Sequence, residues 1–297
     1  MPDATPPPPN DPYSEASLQA TIAHPRFFEA CRQTMVASLA HYHAQSEGYR
    51  KVVKDVGRLT IAYVAQSVNA LTQDKLTTYE LQRHCQYFKV ASPGRVLEVV
   101  RRLTAAGDWV LEDGPGMWTR RRLVLQPSFH DAVRDRLLCD LDAAALLWPD
   151  LAAFAARLRR DRPMFERFFN DAALKSTSQR HLYDPAASPI TDHFLQREAG
   201  MMIVFELACQ SPTDPERLLT EAAFSRQALA RRFDVSRVHI NRLFHDAEDA
   251  GWVSFPSPDR VAFAPLMSRA VERLHASIFL LFQDTTIALT QAVAAGG

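Results

Sequence analysis

The sequence predicts a mainly α-helical protein with small β-hairpins, arranged as two related parts with flanking helices. Glycine is scarce, with only ten residues in 297, and long stretches rich in alanine, leucine and arginine favour helices. In many of these stretches apolar residues recur at i, i+3, i+4 and i+7, the spacing of a helix with one buried face. A residue pattern of the first half returns in the second half, which indicates an internal duplication.

The duplication is visible in two pairs of matching stretches. Ser92–Val110 matches Ser236–Val253 at an offset of 144 residues, with the leading serine, the apolar positions and a glycine in register. Further on, the stretch that begins at Pro127 matches the one that begins at Pro265, at an offset of 138. The difference in length falls where a hairpin is expected, and turns tolerate insertions better than helices do.

The second repeat predicts a helix, a tight turn, a second helix and a hairpin, in that order. Ser225–Arg232 forms the first helix, and Ser236 caps the second, which runs to about Ala250 and ends at Gly251. An alternating run with a Pro-Ser-Pro-Asp turn then predicts two antiparallel strands. The apolar face of the second helix is predicted to lie in the core, and it consists of Ile240, Leu243, Phe244 and Ala247.

This order of elements is the winged helix-turn-helix arrangement. Its residues resemble the helix-turn-helix core of MarR- and GntR-type bacterial regulators, through Leu229–Arg237, Ile240 and Glu248–Val253, over about forty residues. The resemblance implies two winged helix-turn-helix domains related by duplication. It also implies a transcription regulator that binds double-stranded DNA in a sequence-specific manner. The sequence contains no G-x-S-x-G, H-E-x-x-H or C-x-x-C motif, so we expect no enzymatic activity and no cofactor or metal.

The predicted recognition helix spans residues 236–250 and would enter the major groove, where arginine pairs with guanine and asparagine with adenine. No acidic residue occurs from Ser236 to His245, as a surface that faces phosphates requires. The resemblance implies that Ser236 contacts phosphate and that the next polar residues face the bases. The DNA-binding residues predicted in this repeat are Ser236, Arg237, His239, Asn241, Arg242, His245 and, on the wing, Arg260.

The first repeat departs from this pattern, because Leu97 and Glu98 stand where the second has Asn241 and Arg242. We therefore expect it to contact the DNA backbone more than the bases, or only to hold the second repeat. Its hairpin is longer and carries a cluster of three arginines. The residues predicted to contact DNA here are Ser92, Arg95, Arg101, Arg102, Arg120, Arg121 and Arg122.

The expected boundaries are a disordered, proline-rich segment at 1–22, a first repeat with flanking helices at 23–141 and a second at 142–297. Four widely spaced cysteines without a C-x-x-C motif favour reduced thiols, and no signal peptide or membrane span is predicted, so we expect a cytoplasmic location. The chain has 34 basic and 34 acidic residues, which argues against a protein that coats polyanions.

The predicted partners are double-stranded DNA and a small-molecule effector, with either a monomeric pseudo-dimer or a homodimer as the assembly. Core packing or an effector pocket explains the aromatic residues of the middle segment, which are Trp148, Phe154, Phe165, Phe168 and Phe169. Polar groups that could orient an effector are His193, Arg197 and Glu206. Two further functions stay open at this point: a plasmid-type replication initiator, and a winged-helix module for protein–protein interaction.

Overall fold

The computed structural model describes residues 11–73, 75–178 and 188–295, and it is mainly helical, as the sequence predicts. The helices are α1 (Glu15–Ile22), α2 (Phe27–Ala44), α3 (Glu47–Val53), α4 (Val56–Leu71), α5 (Thr78–Tyr87), α6 (Pro93–Ala105), α7 (Pro127–Ala144), α8 (Asp150–Arg160), α9 (Arg162–Ser178), α10 (Pro189–Leu195), α11 (Gly200–Gln210), α12 (Arg226–Arg232), α13 (Arg237–Asp249) and α14 (Pro265–Ala295). The strands are β1 (Trp109–Leu111), β2 (Leu123–Leu125), β3 (Glu221–Ala223), β4 (Val253–Ser257) and β5 (Arg260–Phe263), and a 3-10 helix (Trp118–Arg120) lies between β1 and β2.

Two parts of the chain contain the same elements in the same order. In the first part α4, α5, α6, the β1–β2 hairpin and α7 follow one another, and in the second part α11, α12, α13, the β4–β5 hairpin and α14. A short extended segment precedes α5 and α12 and pairs antiparallel with the returning chain, as the Thr77–Arg122 bridge and as β3 on β5. The sequence did not predict these segments, because one to three residues are too few for a periodic pattern.

Helices α6 and α13 begin and end as their sequences predict. The hydroxyl oxygens of Ser92 and Ser236 each accept the backbone N–H of the residue three positions later, at 3.4 and 3.0 Å. Gly107 and Gly251 follow the helix ends with φ of +80° and +71°, a left-handed conformation that glycine adopts without steric cost. The four predicted core residues of α13, from Ile240 to Ala247, are all fully buried.

Each part has a helix that also packs against the other part. Helix α2 packs against α7 and also against α11, and α9 packs against α14 and also against α4. The predicted boundary between residues 141 and 142 therefore divides the sequence at a point where α7 continues unbroken. One hydrophobic core extends across both parts.

The N-terminal segment is ordered from at least Tyr13, which differs from the expected disorder up to residue 22. Residues 1–10 lie outside the described part of the chain. Helix α1 packs on α14, where Tyr13 is buried and its hydroxyl donates to the Asp284 carboxylate at 3.1 Å. An ion pair between Arg273 and Glu15 at 2.6 Å lies at the same contact. The proline-rich composition ends before this anchor, and the apolar side chains of α1 explain why the segment folds.

Within the described ranges, none of the helices has both the length and the apolar character required to cross a bilayer.

A buried histidine in α14 is expected to make folding stability depend on pH. His275 is 1% exposed, its Nδ1 lies 2.9 Å from the Val271 carbonyl oxygen, and burial lowers its pKa from 6.5 to about 4. Between these two values the unfolded chain binds a proton that the folded chain does not, so stability falls as pH falls. From about pH 7 to about pH 4 the loss is on the order of 3 kcal/mol.

Urea unfolding of wild type and of His275→Leu at the two pH values measures how much His275 contributes to the pH dependence of the free energy of unfolding. Other groups titrate equally in both proteins, so the variant should lose about 3 kcal/mol less stability than wild type over that interval. Equal losses in the two proteins would contradict the assignment to His275.

Candidate nucleic-acid interface

Helix α13 has a polar outer face above its buried apolar one. Arg237, Asn241 and Arg242 are exposed on this outer face, together with Val238, which is 65% exposed. Among the residues that the structure describes, neither these two guanidinium groups nor the Asn241 amide has a hydrogen-bond or ion-pair partner. Three of the predicted DNA-binding side chains are therefore free to bind a ligand.

Ser236 lies at the N-terminus of the same face. Its side-chain oxygen accepts the His239 N–H, and its backbone is extended, with φ −73° and ψ 150°, as is usual for a cap. The other N–H groups of the first turn have no acceptor within the helix, since the first four N–H groups of any helix lack one. The exposed end of α13 therefore carries partial positive charge.

His239 faces away from this polar outer face, which differs from the prediction. One ring nitrogen lies 2.8 Å from the backbone carbonyl oxygen of Glu198, and the side chain is half-buried. On the same flank Asp246 pairs with Arg197 at 2.9 Å. The periodicity assigned His239 to the polar face, but it did not reveal that residues 197–198 pack against one edge of that face.

The remaining predicted residues of the second part have partners at the surface. His245 is exposed and lies 3.7 Å from Asp249, one turn later on α13. Arg260 forms an ion pair with Glu221 between β5 and β3. Both contacts lie at the surface, where an ion pair contributes little stability.

Arg226 is a basic residue of this region that the sequence analysis did not identify. Its guanidinium carbon lies 4.9 Å from the ring centre of Phe224 and 5.0 Å from that of Phe255. These distances are typical of cation–π contacts. Its position at the start of α12, the helix that precedes α13, is the sequence feature that could have identified it.

In the first part, three predicted DNA-binding arginines are bound to carboxylates. Arg95 pairs with Asp55 at 2.7 Å, Arg102 with Glu98 at 2.9 Å, and Arg122 with Glu112 at 2.9 Å. Asp55 is only 14% exposed at its side chain, so its bond with Arg95 is partly shielded from solvent. The α6 face is therefore largely neutralised by acids of its own part, unlike the α13 face.

The other predicted residues of the first part differ among themselves. Ser92 is exposed as the α6 cap, and Arg121 is half-buried. Arg101 lies over the Trp118 ring, with its guanidinium carbon 5.8 Å from the ring centre, and Arg120 lies over Tyr79 at 5.2 Å. Neither Arg101 nor Arg120 has a carboxylate within ion-pair distance among the described residues.

A charge network connects the two helices. Lys54, which is 6% exposed, donates to the backbone oxygen of Asp234 at 2.7 Å and lies 3.4 Å from the Glu198 carboxylate. Arg58 lies 3.6 Å from the same carboxylate and 3.0 Å from that of Glu98 on α6. The turn before α13 and the middle of α6 are thus held by one set of cations, which fixes the two helices relative to each other.

The aromatic residues of the middle segment pack in the hydrophobic core, with Phe165, Phe168 and Phe169 each at most 3% exposed. A cavity of about 70 Å³ near Phe165 lies below the roughly 300 Å³ at which small-molecule pockets begin. The three polar groups considered for an effector all bind protein atoms: His193 the Leu243 carbonyl oxygen, Arg197 the Asp246 carboxylate, and Glu206 the Arg232 guanidinium.

Within the described ranges no group of three or more His, Cys, Asp or Glu side chains could hold a metal ion. No protein-family model, characterised protein or solved structure matches this chain.

Proposed function

We propose that this chain is a transcription regulator that binds double-stranded DNA in a sequence-specific manner and inserts α13 into the major groove. The observation that carries the proposal is the exposed set Arg237, Asn241 and Arg242, which has no partner in the described part of the chain. Two fixed cations and an amide on one exposed helix face are the groups that bind base edges and phosphates.

We further propose that the chain contains two winged helix-turn-helix domains produced by duplication. The repeated order of elements supports this, and so does the shared backbone of the two turns, where Lys89 and Asp234 have left-handed φ of 53° and 50°. The reciprocal packing of α2 on α11 and of α9 on α4 supports a pseudo-two-fold relation between the parts. The molecule then resembles a dimer joined into one chain.

The chemistry of the α13 face fits base recognition. An arginine can donate two hydrogen bonds to guanine, and an asparagine can donate from its NH2 to adenine N7 and accept from adenine N6 with its side-chain oxygen. Ser236 and the first-turn N–H groups would lie against phosphate, as helix N-termini commonly do. Because Arg95 and Arg102 of α6 are bound to carboxylates, the two halves would read DNA unequally, and the operator should be asymmetric. A palindromic site that both halves read equally would contradict this.

DNA binding is expected to weaken steeply with salt. Phosphate contacts release condensed counterions, so log K should fall linearly with log salt concentration, by about 0.9 for each phosphate contacted. If four phosphates are contacted, a fourfold increase in salt weakens binding by roughly 100-fold. Titration of labelled genomic fragments with the protein at several salt concentrations measures the slope, and a slope near zero would contradict a DNA-binding function.

Selection of bound fragments from random duplex DNA tests the sequence-specific part of the proposal. We expect enrichment of one site with fixed guanines and adenines across a single major groove that faces α13. The positions of that site relative to genes separate a regulator from a replication initiator, since promoters fit the first and tandem repeats at an origin the second. Uniform recovery of all sequences would contradict specific recognition.

A further inference from the structure

A groove lies between α6 and the hairpin of the first part, on a surface that the proposed α13 contact does not use. We call it the first-wing groove; it is open to solvent and has a volume of about 290 Å³. It is lined by Val100, Arg101, Thr104, Leu111 and Trp118. Its walls are mostly apolar, and the Arg101 guanidinium lies over the indole of Trp118 at its edge.

A second arginine–aromatic pair lies next to this groove. The 3-10 helix that contains Trp118 also contains Arg120, whose guanidinium lies 5.2 Å from the ring centre of Tyr79 on α5. Tyr79 is 42% exposed and Met117, the residue before the 3-10 helix, is 69% exposed. The 3-10 helix and α5 thus bring two aromatic rings, each with a guanidinium group against it, to the protein surface.

The charges of this surface differ from those of the rest of the first part. Arg95, Arg102 and Arg122 are neutralised by carboxylates, whereas Arg101 and Arg120 have none within ion-pair distance in the described part of the chain. Among the arginines of α6 and the hairpin, the exposed ones left without a carboxylate are therefore the two that lie over aromatic rings. A ligand with negative charges and flat apolar surfaces could bind both the guanidinium group and the aromatic ring of each pair.

We infer that the first-wing groove binds single-stranded DNA, with bases stacked on Trp118 and Tyr79 and phosphates bound by Arg101 and Arg120. Rings and arginines along a positively charged groove form the usual platform for single strands, because every unpaired base has an exposed face. The bases of a duplex are stacked on each other and offer only their edges. The α6 face, with Leu97 and Glu98 half-buried and its other arginines paired, is poorly suited to read such edges.

Fluorescence anisotropy with a labelled oligothymidylate of about 20 nucleotides tests this inference, since one binding site covers roughly 4–16 nucleotides. Wild type should bind the oligonucleotide in a salt-dependent manner. Trp118→Ala and Tyr79→Ala should each weaken binding by roughly 5- to 150-fold, the range expected for one lost base–aromatic stack. Trp118→Phe, which keeps a ring, should restore most of the affinity.

Tyr87→Ala is the matched control, because Tyr87 is an 80% exposed aromatic residue of the same helix as Tyr79, and no arginine of the described ranges lies over its ring. It should bind the oligonucleotide like wild type. Absence of oligonucleotide binding by wild type, or equal affinities of Trp118→Ala and wild type, would overturn the inference; capture of a protein by this surface in place of the oligonucleotide would do the same. The α13 proposal is tested separately, since its variants should lose the duplex and keep the oligonucleotide.

Discussion

Replacement of both Arg237 and Arg242 by alanine is expected to abolish specific duplex binding while the protein stays folded. A bidentate arginine–guanine contact contributes about 1–3 kcal/mol of discrimination, so the double variant should bind its selected site between about 30-fold and about 10⁴-fold more weakly. Both side chains are exposed and have no partner in the described structure, so the free energy of unfolding should change by less than about 0.5 kcal/mol.

The matched control is the double variant Arg95→Ala and Arg102→Ala, which removes the same charge from the equivalent helix of the first part. Because these two arginines are already bound to Asp55 and Glu98, we expect less than a tenfold loss of duplex affinity. Electrophoretic mobility shifts with the selected site and with a scrambled duplex compare the two variants. Equal losses in both would mean that net charge, and not the α13 face, determines binding.

Phe233→Ala is expected to destabilise the whole fold. Phe233 is fully buried in the turn before α13 and packs against the rings of Tyr42 and His43 on α2, at 5.8 and 6.2 Å between ring centres. Loss of a buried phenylalanine costs about 3–5 kcal/mol through lost burial and the cavity left behind. Urea unfolding should show this loss as a lower midpoint, with α2 and α13 loosened together.

Tyr42→Phe serves as the control for this prediction. It keeps the ring against Phe233 and removes only the hydroxyl, which donates a long bond of 3.5 Å to the Phe233 carbonyl oxygen. We expect a loss of no more than about 1 kcal/mol. If Phe233→Ala were as mild as Tyr42→Phe, the turn would not be held by this contact between the two parts.

Local chemistry explains the features that the sequence predicted correctly. The serine caps, the left-handed glycines and the buried face of α13 depend on residues within one or two turns of each other, so one stretch of sequence contains all the required information. The exposed positions of Arg237 and Arg242 follow from the same periodicity.

The features that the sequence did not predict depend on residues far apart in the chain. Arg95 bonds to Asp55, which lies forty residues earlier, and His239 bonds to the backbone of Glu198, forty-one residues earlier. Neither contact can be predicted from the periodicity of the sequence, because each depends on how whole helices pack against one another. The order of Tyr13 and α1 depends likewise on Asp284 and Arg273, at the other end of the chain.

The Lys54–Glu198 contact could not form between two identical copies of one half of this chain. Under the proposed 144-residue offset the two positions are equivalent, and in any two-fold arrangement only residues at the axis can touch their own equivalents. Two identical copies of either half would bring lysine against lysine or glutamate against glutamate at this partly dehydrated point, which repels. Opposite charges at this contact require two different halves, so we expect that neither half forms a stable homodimer when expressed alone.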